Sequence, residues 1–262
     1  MSVSKSFYQG VVLAVAVAVA TSLAGCAAVP DKPKLSEEKE KELVNTYIST
    51  AGIYLKRGQL QFVKEKVDKA MALEPDNPDV NNMMALYQWR IKQNDEADKY
   101  FRKAIHADPK NPESLNNYGV FLCENGKVDE AVKYYDRAVA VPVYPARAQA
   151  YTNAAKCLVS VDDFEKAEVY FANALQINPY FPEAALGIAK IEARNGRLAE
   201  ARKHIKNYFF KGRMTPESVY LALRIEESLG NKKQAADYAL QLMSKFPDSQ
   251  EANWVKNRMK RR

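Results

Sequence analysis

Histidine is almost missing from this 262-residue chain. The two present, His106 and His204, have no partner at metal-ligand spacing, which leaves no histidine-built metal centre or acid–base pair to propose. Also missing are a glycine-rich phosphate loop, a Gly-x-Ser-x-Gly elbow and a His-Glu-x-x-His helix, each of which would carry a recognisable chemistry. The dense run Glu37–Glu42 (EEKEKE) interleaves lysines with its acids. It reads as the solvated, Ser36-capped start of a helix rather than as paired catalytic carboxylates. Without a convergent set of reactive groups the chain is not expected to be an enzyme, and no cofactor or small-molecule substrate is expected. A strong excess of one charge is lacking as well. Lys and Arg number 39 against 32 Asp and Glu, for a net charge of +7. Both signs are mixed along the chain, which suits a solvated helical surface better than a nucleic-acid-binding face.

No apolar run is long enough to span a bilayer. Val11–Ala20 covers ten residues, where a crossing helix needs about twenty. The run follows a short polar start carrying Lys5 and ends in Leu23-Ala24-Gly25-Cys26. These four residues resemble the lipobox of bacterial lipoproteins, in which small residues admit the peptidase and the following Cys is acylated on its thiol and on its freed amine. Residues 1–25 are therefore expected to be a signal peptide. Cys26 is the expected lipidation site, and each buried acyl CH₂ contributes about 0.8 kcal/mol to anchoring. By analogy with lipoprotein sorting, Asp at position 27 would retain the protein at the inner membrane. Ala27 therefore favours the outer membrane, with the body on its periplasmic face. Residues 26–36, with Pro30 and Pro33 and no periodicity, read as the lipidated N-terminus and a short tether.

Residues 37–249 repeat at intervals of about 34, the period of tetratricopeptide (TPR) units. The units are placed at 44–77, 78–111, 112–147, 148–181, 182–215 and 216–249. A small residue recurs early in the first five units (Ala51, Ala85, Gly119, Ala155, Ala189) and lets two helix backbones approach. A later Ala recurs at Ala97, Ala131, Ala167, Ala201 and Ala235, followed four residues on by Phe101, Tyr135 and Phe171 in three units. Proline closes four units, at Pro75, Pro109, Pro179 and Pro247, while Val143 and Arg213 replace it in the third and fifth. Helix starts are marked by Asn77-Pro78, Asn111-Pro112 and Thr215-Pro216, a capping side chain before a proline. Gly58, Gly126, Gly196 and Gly230 fall where first helices should end. The expected fold is all-α: a right-handed superhelical solenoid of about six TPR hairpins, closed by a capping helix over 250–262. The third unit carries two extra residues in Val141–Pro145, expected to alter the angle between the halves. The basic residues Lys256, Arg258, Lys260, Arg261 and Arg262 compensate a helix dipole or meet an anionic lipid or acidic partner.

Cys123 and Cys157 lie late in the first helices of adjacent units. They are either two buried thiols or, in the oxidising periplasm, a disulfide across the repeat boundary. First helices line the concave side of a TPR array. The positions projecting inward include Ile48, Leu55, Leu86, Trp89, Arg90 and Asn116, with Thr152, Lys156, Leu186, Lys190, Tyr220 and Arg224 further along. The N-terminal stretch is the more apolar, and Trp89 is its best anchor for a partner segment. Some of the aliphatic positions are equally well explained as core.

The stretch Leu115–Cys123 (LNNYGVFLC), the Tyr144-Pro145 insertion and Lys156-Cys157, on a lipobox followed by six TPR units, resemble the PilF/PilW family of type IV pilus lipoproteins. The resemblance implies a pilotin: a lipid-anchored protein that helps localise or assemble the outer-membrane secretin of the type IV pilus. Two other partners fit the same scaffold, the outer-membrane protein assembly machinery and a peptidoglycan-modifying complex.

Overall fold

The computed structural model describes residues 36–211 and 214–260. The signal segment, the lipidation site Cys26, residues 26–35 of the tether, and Arg213, Arg261 and Arg262 lie outside the described residues. Among the described residues all regular structure is helical, in thirteen segments. In chain order these are α1 (Glu37–Lys56), α2 (Leu60–Leu73), α3 (Pro78–Arg90), α4 (Asn94–Ala107), α5 (Pro112–Glu124), α6 (Val128–Val139) and α7 (Arg147–Val159). They are followed by α8 (Phe164–Ile177), α9 (Pro182–Arg194), α10 (Leu198–Lys211), α11 (Pro216–Ser228), α12 (Lys232–Lys245) and α13 (Gln250–Lys260). The chain divides into two compact units at Glu42/Leu43. The described part of the first is the start of α1, where Ser36 Oγ accepts from the Lys39 amide at 3.4 Å and Lys41 pairs with Glu37 at 2.9 Å. The second unit, from Leu43, holds the repeats.

Local chemistry sets the helix ends. The Asn77 side chain accepts from the amides of Asp79 and Val80, Asn111 from Ser114, and Thr215 forms a reciprocal capping box with Ser218. Each precedes a proline at the first helical position, whose missing N–H costs nothing there. α7 has neither device: Ala146 makes no side-chain cap, and the helix opens at Arg147, one residue ahead of the unit boundary at 148. First helices end in the left-handed region at Gly58, Gly126, Gly196 and Gly230, with φ between 70° and 76°. The two remaining hairpins use Lys92 (φ 65°) and Asp162 (φ 61°) at the same place, where a Cβ is strained. The backbone turn is thus set by the hairpin and not by the residue that fills it.

The core follows the repeat. Ala97, Ala131, Ala167 and Ala201 are fully buried, as are the small residues Ala51, Ala85, Ala155 and Ala189. The rings of Phe101, Tyr135 and Phe171 fill the space they leave, and burying each contributes roughly 2–3 kcal/mol. Buried clusters join only consecutive hairpins: Ala51, Val63, Met83 and Met84 at one end, Ala189, Ile205, Val219 and Leu242 near the other. That is the nearest-neighbour packing of a solenoid. Two glycines are required by close approach. A Cβ on Gly119 would lie 2.8 Å from the Tyr135 ring of its own hairpin. One on Gly187 would lie 2.3 Å from Phe171, in the preceding hairpin. Between α6 and α7, Val141–Pro145 forms a turn in which the Tyr144 amide donates to the Val141 carbonyl (3.2 Å) and Arg147 Nε to the Val139 carbonyl (3.0 Å). No described helix is long and apolar enough to cross a membrane.

Candidate partner-binding surface

The inward positions of the first helices separate into three regions. At the N-terminal end, Ile48 and Leu55 on α1 and Leu86 on α3 are half-buried and pack on the cores beneath them. Trp89 is half-buried too, edge-on to Phe121 at 5.7 Å between ring centres. Part of each side chain thus belongs to the core and part faces outward, while Arg90 beside them is exposed. Ile53 on α1 and Phe62 on α2 add exposed apolar area, and Phe62 stacks on Tyr54.

Next to it a ladder of side-chain amides runs across α3, α5 and α7, in which Asn82 and Asn116 are buried and Asn117, Asn153 and Gln149 half-buried. Asn117 Nδ2 donates to Asn82 Oδ1 (3.4 Å), Asn116 Nδ2 to Asn117 Oδ1 (3.5 Å), and Asn153 Nδ2 to Asn116 Oδ1 (3.1 Å). Gln149 Nε2 then donates to Asn153 Oδ1 at 2.8 Å. Asn116 is thus a link in a chain rather than an isolated groove residue. Behind it Cys123 on α5 and Cys157 on α7 are joined as a disulfide, with Cα atoms 5.8 Å apart. Nearby, Tyr118 Oη donates to Asp98 Oδ1 at 2.7 Å and Arg102 Nε to Asp98 Oδ2 at the same distance. Burial works to raise the Asp98 carboxyl, but the bonds from Arg102 and Tyr118 outweigh it and hold it below the ordinary aspartate range. Burial first, and the Asp98 bond second, push the Tyr118 phenol well up.

The third region is a cavity of about 450 Å³ between α7, α8 and α9, walled by Val159, Phe164, Phe171, Leu186 and Ile191 and rimmed by Lys156, Lys190 and Arg194. Its floor forms where the buried Phe171 ring packs directly against Gly187. The apolar emphasis at Ile48, Leu55, Leu86 and Trp89 did not point here. The signal was in the sequence, in Leu186-Gly187 followed by Lys190 and Arg194 one helix turn apart, but the depth comes from the neighbouring hairpin. A second cavity of about 450 Å³ lies between α11, α12 and α13. There Trp254 meets Tyr220 edge-on at 5.3 Å, with Arg224 and Arg258 over its ring. Arg258 bonds Glu227 at 2.8 Å, and Lys256 bonds the Pro247 carbonyl at 2.8 Å, so two basic residues of this end help seat α13.

One polar pair was hidden from sequence reasoning. His204 Nδ1 on α10 lies 2.7 Å from Oε2 of Glu192 on α9, whose side chain is buried. Glu226, one repeat later, is equally buried and accepts from Asn231 Nδ2 at 2.6 Å. The pair has no third reactive group, and no cluster of three metal-ligating side chains occurs among the described residues.

Comparison with known proteins gives this scaffold its relatives. Tetratricopeptide-repeat models match residues 82–149, 158–223 and 219–249. The type IV pilus assembly protein PilF of Pseudomonas aeruginosa is 28% identical over 234 residues, 89% of this chain and 93% of that protein. The structure of Pseudomonas aeruginosa PilF superposes with a TM-score of 0.76 at 27% identity, covering 84% of this chain and 99% of its own. That of PilW, a widely conserved type IV pilus biogenesis factor, gives 0.70 at 29% identity, covering 81% and 98%. With this similarity over nearly the full length of both relatives, the chain belongs to the PilF/PilW family of TPR proteins.

Proposed function

We propose that this protein acts in type IV pilus biogenesis as a pilotin: an outer-membrane lipoprotein, anchored through Cys26 on the periplasmic face, that binds the pilus secretin and assists its localisation or assembly. The observation that carries the reading is the end-to-end similarity to PilF and PilW in a chain that also bears Leu23-Ala24-Gly25-Cys26. TPR scaffolds bind protein segments, and no catalytic role is assigned. In this reading the α1–α3 surface, with Ile48, Leu55, Leu86, Trp89, Arg90 and the neighbouring Asn116, holds a secretin segment. Its half-buried side chains offer apolar area at little further ordering cost.

The test is co-purification from native membranes with and without Cys26→Ala. Recovery of a secretin with the wild type, and loss of its outer-membrane placement in the Cys26→Ala cells, supports the pilotin role. Trp89→Ala should then weaken the association by roughly tenfold or more, as expected of an interface anchor. Secretin oligomers that form and localise normally in cells lacking the protein overturn it.

A further inference from the structure

We infer that the C-terminal end of the repeat body is a lipid-binding surface: the cavity between α11, α12 and α13 takes an acyl chain of an anionic phospholipid, and the lysines around it take the headgroup. The cavity, of about 450 Å³, falls within the range of roughly 300–1,000 Å³ usual for ligand sites. Its origin is a departure from the repeat. Four residues after the recurrent alanine, the second to fifth hairpins place Phe101, Tyr135, Phe171 and Ile205, all buried. The sixth places Ala239, which is only partly covered. A side chain that fills its hairpin elsewhere is therefore missing here, and Ala239 walls the space with Leu223, Trp254, Val255 and Met259. Trp254 and Met259 are 39% and 59% exposed, so the apolar wall reaches the surface.

Charge selects the ligand. Both signs occur throughout the chain, but residues 195–262 hold 15 Lys and Arg against 7 Asp and Glu, and residues 1–194 hold 24 against 25. The whole excess of positive charge thus belongs to the part of the chain that builds this end. Among the residues lining the cavity Glu227 is the one carboxylate, and Arg258 holds it at 2.8 Å. Lys232 on the rim is exposed, as are its neighbour Lys233 and Lys260 next to Met259, and none of the three forms an ion pair among the described residues. No lining side chain is an amide or a hydroxyl. The N–H groups of a peptide main chain would find no free side-chain acceptor there, whereas a phosphate needs only donors and cations. An apolar wall ringed by lysines, with a tryptophan at the boundary, complements an acyl chain below an anionic headgroup. The site depends neither on a secretin nor on the Cys26 anchor, and it stands or falls apart from the pilotin reading.

The chain has two tryptophans, so Trp89→Phe leaves Trp254 as the reporter at the site and Trp254→Phe leaves Trp89 as a remote one. The experiment uses the full-length chain carrying Cys26→Ala, which excludes an acyl anchor at that residue from every variant. Vesicles of phosphatidylglycerol or of phosphatidylcholine carry brominated acyl chains, which quench tryptophan on contact. Phosphatidylglycerol vesicles should quench Trp254 and shift its emission to shorter wavelength, phosphatidylcholine vesicles should not, and Trp89 should respond to neither. Lys232→Glu combined with Lys260→Glu, both at exposed positions, should weaken vesicle binding at least tenfold. Ala239→Phe, which fills the cavity with the ring that earlier hairpins carry, should abolish the quenching. A Trp254 signal that is absent, equal for the two lipids, or unchanged by either the lysine pair or Ala239→Phe overturns the proposal. A Trp254 response to poly-glutamate with none to vesicles overturns it in favour of an acidic protein partner.

Discussion

Replacing Cys123 and Cys157 together by Ala removes the one covalent link between hairpins among the described residues, and its cost can be worked from the chain. The two residues are 34 apart in sequence. In the chain-entropy account, closing a loop of that size in the unfolded ensemble is worth about 3.8 kcal/mol at room temperature. For a body of this length each kcal/mol moves the thermal midpoint by roughly 2–4 °C, so the bond should raise it by about 8–15 °C as an upper limit. Cys157 is buried while Cys123 is half-buried, so reductant should act slowly until the junction opens. The assay is far-ultraviolet circular dichroism during heating of the oxidised wild type, the reduced wild type and the double Ala variant, with thiol labelling of denatured protein to establish redox state. Reduced and double-variant proteins should melt together and well below the oxidised form. Hydrogen exchange should quicken first in α5 and α7, because the lost link belongs to their junction. Coincident midpoints for oxidised and reduced protein, with labelling proving that the bond was broken, refute the entropy argument. Full labelling of both thiols in protein isolated from cells without reductant refutes the bond itself.

Two further outcomes follow from local geometry. Lys92→Gly relieves a left-handed backbone at an exposed hairpin end and should stabilise the protein by about 0.5–1 kcal/mol, seen as a higher urea midpoint; a lower one would show that the Lys92 side chain contributes more than its strain costs. Tyr118→Phe leaves Asp98 without one of its donors and should cost about 1–2 kcal/mol at neutral pH. Because the folded Asp98 carboxyl lies below its unfolded value, this stabilisation is present above the unfolded pKa of about 4 and is lost as pH falls through the folded value. The gap between wild type and Tyr118→Phe should therefore close in acid, and a gap that persists at pH 2 would locate the effect elsewhere.

What the sequence discloses here is what depends on neighbours along the chain. Asn77, Asn111 and Thr215 announce helix starts because a cap and a following proline act within four residues. Gly58, Gly126, Gly196 and Gly230 announce helix ends for the same reason. Lys92 and Asp162 occupy the same turn silently, since tertiary packing of their hairpins imposes a conformation their side chains disfavour. Phe171 is visible as a repeat aromatic, but its partner Gly187 is not: it stands outside the repeat's small position, and only the register of adjacent hairpins brings the two together. The pairing of His204 with Glu192 is equally silent, because it joins two helices of one hairpin at a spacing no motif records. The groove residues show the same limit. Ile48, Leu55, Leu86 and Trp89 share an inward face by helical spacing, yet how much of each is covered is decided by the hairpin next to it.

The link between α5 and α7 also has a mechanical meaning. Hairpins that touch only their neighbours behave as stiff segments joined in series, and a load applied along such a series is taken up first at its most compliant joint. The junction of the third and fourth hairpins contains the irregular Val141–Pro145 turn and is the one that carries a covalent tie among the described residues. With Cys123 bonded to Cys157, stretching there is arrested within a few ångströms, and strain passes to the joints on either side. A protein tethered at one end and loaded at another would then yield near its ends while its middle kept its spacing, and pulling a single molecule with and without reductant would show at which joint the extension begins.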